Sequence, residues 1–230
     1  MKKVLLIASL LVSMNVWAIP LTTLLNGGSI TAGDKLFDQW ELFLDDSEFG
    51  VNTDLIEVIA LNDGGLDPGP GLHFEVFGDT LSVDGNGFYN YLDFQFGFRV
   101  EVLDPDLMIK DNSLAITGAS LTDVGDLASV FINEFVHADL ARTQEIGFKE
   151  VEFSRVGGVP TDNLTDSAVF NPVKELWVTK NILLEAGDFG ERATLISFEQ
   201  RFSQTSIPEP GSLVLLSLGL LGVFARKNQV

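Results

Sequence analysis

Between positions 91 and 102 the chain alternates without a break. Leu92, Phe94, Phe96, Phe98, Val100 and Val102 fall on one parity, and Tyr91, Asp93, Gln95, Gly97, Arg99 and Glu101 on the other. A strand turns successive side chains to opposite faces, so this parity predicts one buried face and one wet face. The signature returns with exceptions. Leu176, Val178, Ile182 and Leu184 share a face that Lys180 interrupts, and Ile196, Phe198 and Phe202 share another with Gln200 between them. Shorter strand candidates lie at 55–61, 72–77, 114–117, 129–136 and 146–153.

Glycine and proline punctuate these runs. Residues 63–71, which hold four glycines and two prolines, can continue neither strand nor helix and predict a loop. Asp84-Gly85-Asn86-Gly87 reads as a hairpin turn, because Gly and Asn tolerate positive φ. Gly157-Gly158 and Gly187-Asp188 mark further corners. No long amphipathic stretch and no fixed-period repeat interrupts the pattern. Many short strands with regular turns predict an all-β fold: one β-sandwich-like (jelly-roll-like) domain over 19–206, with barrel closure left open.

The two ends follow different rules. Lys2 and Lys3, an apolar run over 4–12, and small residues at Val16 and Ala18 make residues 1–18 a secretory signal peptide, cleaved after Ala18. At the other end, Pro208-Glu209-Pro210-Gly211 precedes an uncharged apolar segment over 213–224, then Arg226 and Lys227. Those 12 residues make a helix of about 18 Å, short of the roughly 30 Å hydrocarbon core of a bilayer. Counted from Ile207 the apolar stretch is broken only by Glu209, which allows a transient, strained insertion with the basic end held inside.

The order of Pro208, Glu209 and Pro210, a short Leu/Gly-rich helix and a basic end at Arg226 resembles the PEP-CTERM sorting signal, here spanning 207–230. Two phrases of the body, 28–37 and 98–105, are similar to the extracellular portion of such proteins, though less specifically. The resemblance implies an exosortase, an intramembrane cysteine transpeptidase, as the processing partner. It also implies an exported protein at the cell envelope, outer surface or extracellular matrix of a Gram-negative bacterium, associated with exopolysaccharide and biofilm. It implies no reaction.

Composition narrows the chemistry. The 230 residues carry 33 Asp and Glu against 14 Lys and Arg, a formal charge of −19. Without the two ends, ten basic residues face 32 acidic ones, a balance of −22. Such a surface repels phosphates, so no nucleic acid partner is expected. Zero cysteine excludes disulfides, thiolate metal sites and a cysteine nucleophile. His73 and His137 lie in no His-x-x-x-His or His-Glu pattern, and there is no Gly-x-Ser-x-Gly. With 32 acids available, a glycosidase-like pair carries no information. No catalytic residue is therefore assigned, and the chain reads as a non-enzyme.

Two binding chemistries remain. Asp45 and Asp46, and Asp84 with Asn86, supply the oxygens that calcium prefers, without an EF-hand pattern. Calcium is thus a candidate and no other cofactor is expected. Among the aromatics Trp40, Trp177, Tyr89 and Tyr91, parity places Tyr91 on the polar face of its strand and Trp177 opposite Leu176 and Val178, which makes Tyr91 and Trp177 the candidate sugar contacts. The leading expectation is a structural or interaction component linked to exopolysaccharide. The alternatives are a carbohydrate-binding module, with or without calcium, and third a secreted polysaccharide-active enzyme.

Overall fold

A computed structural model of the chain describes residues 18–122 and 125–207. The signal segment through residue 17, the sorting residues Pro208, Glu209, Pro210 and Arg226, and the apolar run 213–224 lie outside the described residues. No helix among the described residues is long and apolar enough to cross a membrane.

Fourteen strands occur among the described residues: β1 (Ile19–Pro20), β2 (Ile30–Ala32), β3 (Lys35–Asp46), β4 (Ile56–Leu61), β5 (Gly71–Val76), β6 (Ser82–Asp84), β7 (Asn90–Val102), β8 (Leu107–Leu121), β9 (Leu127–His137), β10 (Glu145–Val156), β11 (Val159–Asn163), β12 (Thr165–Val173), β13 (Glu175–Ala186) and β14 (Arg192–Ser206). The only α-helix among the described residues is α1 (Leu21–Leu25). One sheet runs β1-β4-β5-β14-β8-β12, with β6 also pairing β14; the other runs β11-β10-β9-β13-β7-β3-β2. All pairings are antiparallel. The sheets are separate, so the domain is a sandwich rather than a closed barrel.

The core lies between them. On β7 all six apolar residues from Leu92 to Val102 are buried, as their parity predicts. Trp40 packs among Phe98, Phe96 and Phe74, and Phe74 lies against Phe198 of the adjacent strand. Gly157 and Gly158 form the two-residue turn between Val156 and Val159, with φ of 58° and 73°. Both central residues need positive φ in a type I′ hairpin, which glycine adopts without strain.

Two expectations are corrected. Asp84-Gly85-Asn86-Gly87 does not close a hairpin: β6 pairs β14 and β7 pairs β13 and β3, so these residues carry the chain from one sheet to the other. Ile196 does not share a face with Phe198. Register shifts between Leu195 and Phe198 insert an extra residue, so Leu195 and Phe198 point inward and Ile196 is exposed.

Lys180 keeps the parity that its neighbours set. It points into the core, as do Glu134 of β9 and Lys149 of β10, and in register the three form one row, Lys149 opposite Glu134 and Glu134 opposite Lys180. The facing sheet contributes Asn112 of β8 and Gln200 of β14, and all five side chains are fully buried.

Candidate functional site

A concavity lies where the chain crosses between sheets at one end of the sandwich. A groove of about 480 Å³ is walled by Ser47, Glu48 and Phe49 after β3, by Asp79 and Thr80 before β6, by Asp84 at the end of β6 with Gly85 and Asn86 after it, and by Tyr91 and Arg192. Acidic side chains outnumber basic ones along it, since Glu48, Asp79 and Asp84 face only Arg192. That arginine ties two walls together, with Nη2 on Asp79 Oδ1 at 2.6 Å and Nη1 on Asp84 Oδ1 at 3.1 Å.

The crossing loop is held by backbone. Gly85 and Gly87 donate to the carbonyls of Glu191 and Gly187, and Asn86 Oδ1 accepts from Phe88 N. At Gly87, φ is 86°, a conformation that favours glycine, and a Cβ there would stand 2.4 Å from the exposed Phe189 ring and push it aside. The loop leaves Phe88 and Phe189 exposed, and Phe49 stands exposed on the opposite wall.

Tyr91 forms the lip. Its ring is 39% exposed and stacks on that of Tyr89, 57% exposed, at 5.7 Å. Both hydroxyls donate to carboxylates: Tyr91 to Asp46 Oδ2 at 2.8 Å, and Tyr89 to Glu185 Oε1. The Glu185 hydrogen bond, with burial and nearby negative charge, pushes the Tyr89 phenol up to about 12; Asp46 raises Tyr91 in the same way. Each ring is thus tethered by its polar tip and remains partly exposed.

Of the remaining sequence candidates, Trp177 is only 7% exposed and offers no free face, which corrects the expectation of an open ring. It lies between Arg99 and His137 in the strand register, and the Phe43 ring and Arg142 guanidinium close over neighbouring Gly97. The bulged end of β3 and the β9–β10 connection thus roof the half of the face where Trp177 lies, which strand parity alone does not reveal. Asp45, Asp46, Asp84 and Asn86 do come to the same end of the molecule, but their oxygens are engaged. Asp45 accepts from Ser47 Oγ and Val51 N, Asp46 from Tyr91, and Asp84 from Arg192. No group of three or more His, Asp or Glu side chains suited to a metal ion occurs among the described residues. His73 and His137 belong to strands of different sheets.

Sequence reasoning missed the groove itself, because its walls come from separate segments between 47 and 92 that are joined by Arg192, 100 or more residues further on. Between the Tyr91 and Trp177 ends of the same sheet face, Asp93 Oδ1, Asn133 Oδ1 and Asn181 Oδ1 are shielded with no hydrogen-bond partner among the described residues.

Residues 206–228 match the PEP-CTERM protein-sorting motif, which marks the protein as exported to the cell surface or beyond. No curated protein matches the chain. Among solved structures, the chain is similar to TmCBM61 in complex with beta-1,4-galactotriose, at 13% identity over 74% of this chain and 89% of that one, with a TM-score of 0.24. It is also similar to the CBM32 of AlyQ in complex with 4,5-unsaturated mannuronic acid (14%, 63% and 81%, TM-score 0.22). A third likeness is to Trichoderma harzianum endoglucanase 3 from family GH12 (10%, 78% and 99%, TM-score 0.22). At such identities and TM-scores none of the three bears on what this chain does.

Proposed function

We propose that this chain, carrying a PEP-CTERM sorting motif at its end, is an exosortase-sorted protein of a Gram-negative envelope or matrix whose sandwich is a non-enzymatic glycan-contact module. The observation that carries the reading is the stacked Tyr89–Tyr91 pair at the lip of the acidic groove. Aromatic faces pack on the apolar C–H faces of sugar rings, and the carboxylates and amides of the walls accept and donate to hydroxyls. The groove's negative balance disfavours uronate polymers and favours neutral or aminated ones. This links the protein to exopolysaccharide by direct contact rather than by catalysis.

The test is retention of the purified chain on immobilised neutral polysaccharides (galactan, mannan, cellulose) beside alginate. Retention on a neutral polymer that Tyr91→Ala abolishes, with alginate unbound, supports the reading. No retention on any of them, or retention that Tyr91→Ala leaves unchanged, overturns it.

A further inference from the structure

The buried row in the core has a composition that ordinary packing does not call for. Three side chains meet within hydrogen-bond reach: Lys149 Nζ is 2.6 Å from Asn112 Oδ1 and 2.6 Å from Glu134 Oε1, and Asn112 Nδ2 donates to Glu134 Oε1 at 2.7 Å. The carboxylate can only accept and the ammonium only donate, so the Asn112 amide has a single allowed orientation, with its nitrogen on Glu134 and its oxygen on Lys149. Glu134 also holds Lys180 through Oε2 and Gln200 Nε2 through Oε1. Asn112 belongs to one sheet, while Lys149 and Glu134 belong to the other.

The charge count does not close. Two ammoniums and one carboxylate sit with no solvent exposure, and a buried charge without a partner is strongly unfavourable. Burial pulls Lys180 down to about 8 even with Glu134 against it, which shows how poorly this site supports a second ammonium.

We propose that Lys149 and Asn112 join spontaneously in an isopeptide bond between the two sheets, with Glu134 as the proton shuttle. Glu134 takes a proton from the Lys149 ammonium, leaving a neutral amine and a carboxylic acid. The amine lone pair attacks Asn112 Cγ, and the carbonyl electron pair moves to Oδ1. Glu134 passes its proton to Nδ2 and takes one from Nζ; the carbonyl re-forms as the Cγ–Nδ2 bond breaks, and ammonia leaves. The departing ammonia takes up the proton left on Glu134 and exits as ammonium. No oxidant or other reactant is consumed. A secondary amide then replaces one ammonium, and Glu134 and Lys180 remain as a balanced pair. Placement supplies the rate: nucleophile, carbonyl and shuttle are preassembled in a core with no solvent exposure, which makes the attack intramolecular. The link braces a domain that has no cysteine to form a disulfide.

Peptide mapping of the full chain by mass spectrometry tests this. Trypsin does not cut after an acylated lysine, so the cross-linked chain yields 111–142 branched to 143–155, lighter by one ammonia than the two peptides separately. Separate linear peptides, with cleavage after Lys149, would overturn the proposal, as would a branch through Lys180 or Gln200. Asn112→Ala and Lys149→Met are expected to give linear maps. Folded Glu134→Gln is expected to remain linear, and branching in it would remove Glu134 from the reaction. If that variant does not fold, Glu134→Asp keeps the charge but withdraws the oxygens: slower appearance of the branched peptide supports the role, and an unchanged rate overturns it.

Discussion

Phe74 and Phe198 face each other on paired strands β5 and β14, their rings 4.4 Å apart and only 8° from parallel, both without solvent exposure. Phe74 also touches Trp40 and Phe96 of the opposite sheet, so this pair is where the two halves of the sandwich meet. Phe74→Ala is expected to destabilise the domain by about 3–5 kcal/mol, by loss of buried apolar area and the cavity left behind. Ile196→Ser, two residues before Phe198 but facing outward, is expected to stay within about 0.5 kcal/mol of the parent. Urea unfolding of the two variants measures the contrast; equal losses would contradict the bulge that separates them.

Glu134 ties the stability of the fold to acid. Burial alone would raise its pKa, but Lys149 and Lys180 outweigh burial and hold it below 4.5. A carboxylate depressed in the folded state binds fewer protons than in the unfolded state, so its contribution is present above about 4.5 and is lost as pH falls through the folded value. In the Asn112→Ala background, where the link cannot form, Glu134→Gln leaves the buried Lys149 and Lys180 ammoniums without their carboxylate and is expected to cost about 3–5 kcal/mol at neutral pH. Denaturation midpoints of the Asn112→Ala chain with and without Glu134→Gln should differ above about 4.5 and draw together as pH falls through the folded Glu134 value.

The chain's two tyrosines, Tyr89 and Tyr91, both donate to carboxylates and both have raised pKa values. Ultraviolet titration of the native protein should therefore show less phenolate at pH 10 than the unfolded chain, with Tyr89 still protonated there, whereas the unfolded chain ionises around pH 10. Here the folded state retains protons that the unfolded state has released. The stabilisation is complete below about 10 and is lost as pH rises toward about 12, the folded value for Tyr89. Native ionisation coinciding with that of the unfolded chain would contradict the hydrogen bonds at the groove's lip.

Sorting is testable apart from the fold. Pro208→Ala together with Pro210→Ala alters the matched motif and is expected to accumulate an exported, unprocessed form. Intact mass of the surface fraction reads this directly. Identical processing of variant and parent would remove the prolines from recognition.

Much of the sandwich was legible because β7 and β9 largely alternate, each with one buried face and one less buried face. β3 was not legible. Gln39 adopts a φ of 51° and the register shifts twice beyond Asp38, so Leu42, Phe43 and Leu44 emerge consecutively on the surface instead of alternating. β12 was hidden for another reason. It is a mostly exposed edge strand whose conformation comes from pairing with β8 rather than from its own apolar pattern. Lys180 looked like a break in a strand, yet its parity was right; its partner Glu134 lies 46 positions away, and only strand pairing brings the two into register. For the groove, Tyr91, Asp84 and Asn86 were visible as residues, but the walls that give them meaning are joined only by topology.

The final strand, β14, sits in the middle of its sheet, flanked by β5 and β8. A chain threaded outward amino end first must therefore wait with that sheet in three unjoined pieces, β1-β4-β5, β6 and β8-β12, until residues 192–206 emerge to stitch them. Assembly of the domain and arrival of the sorting tail at the membrane become nearly simultaneous events. Any late-acting chaperone would have its substrate at that moment.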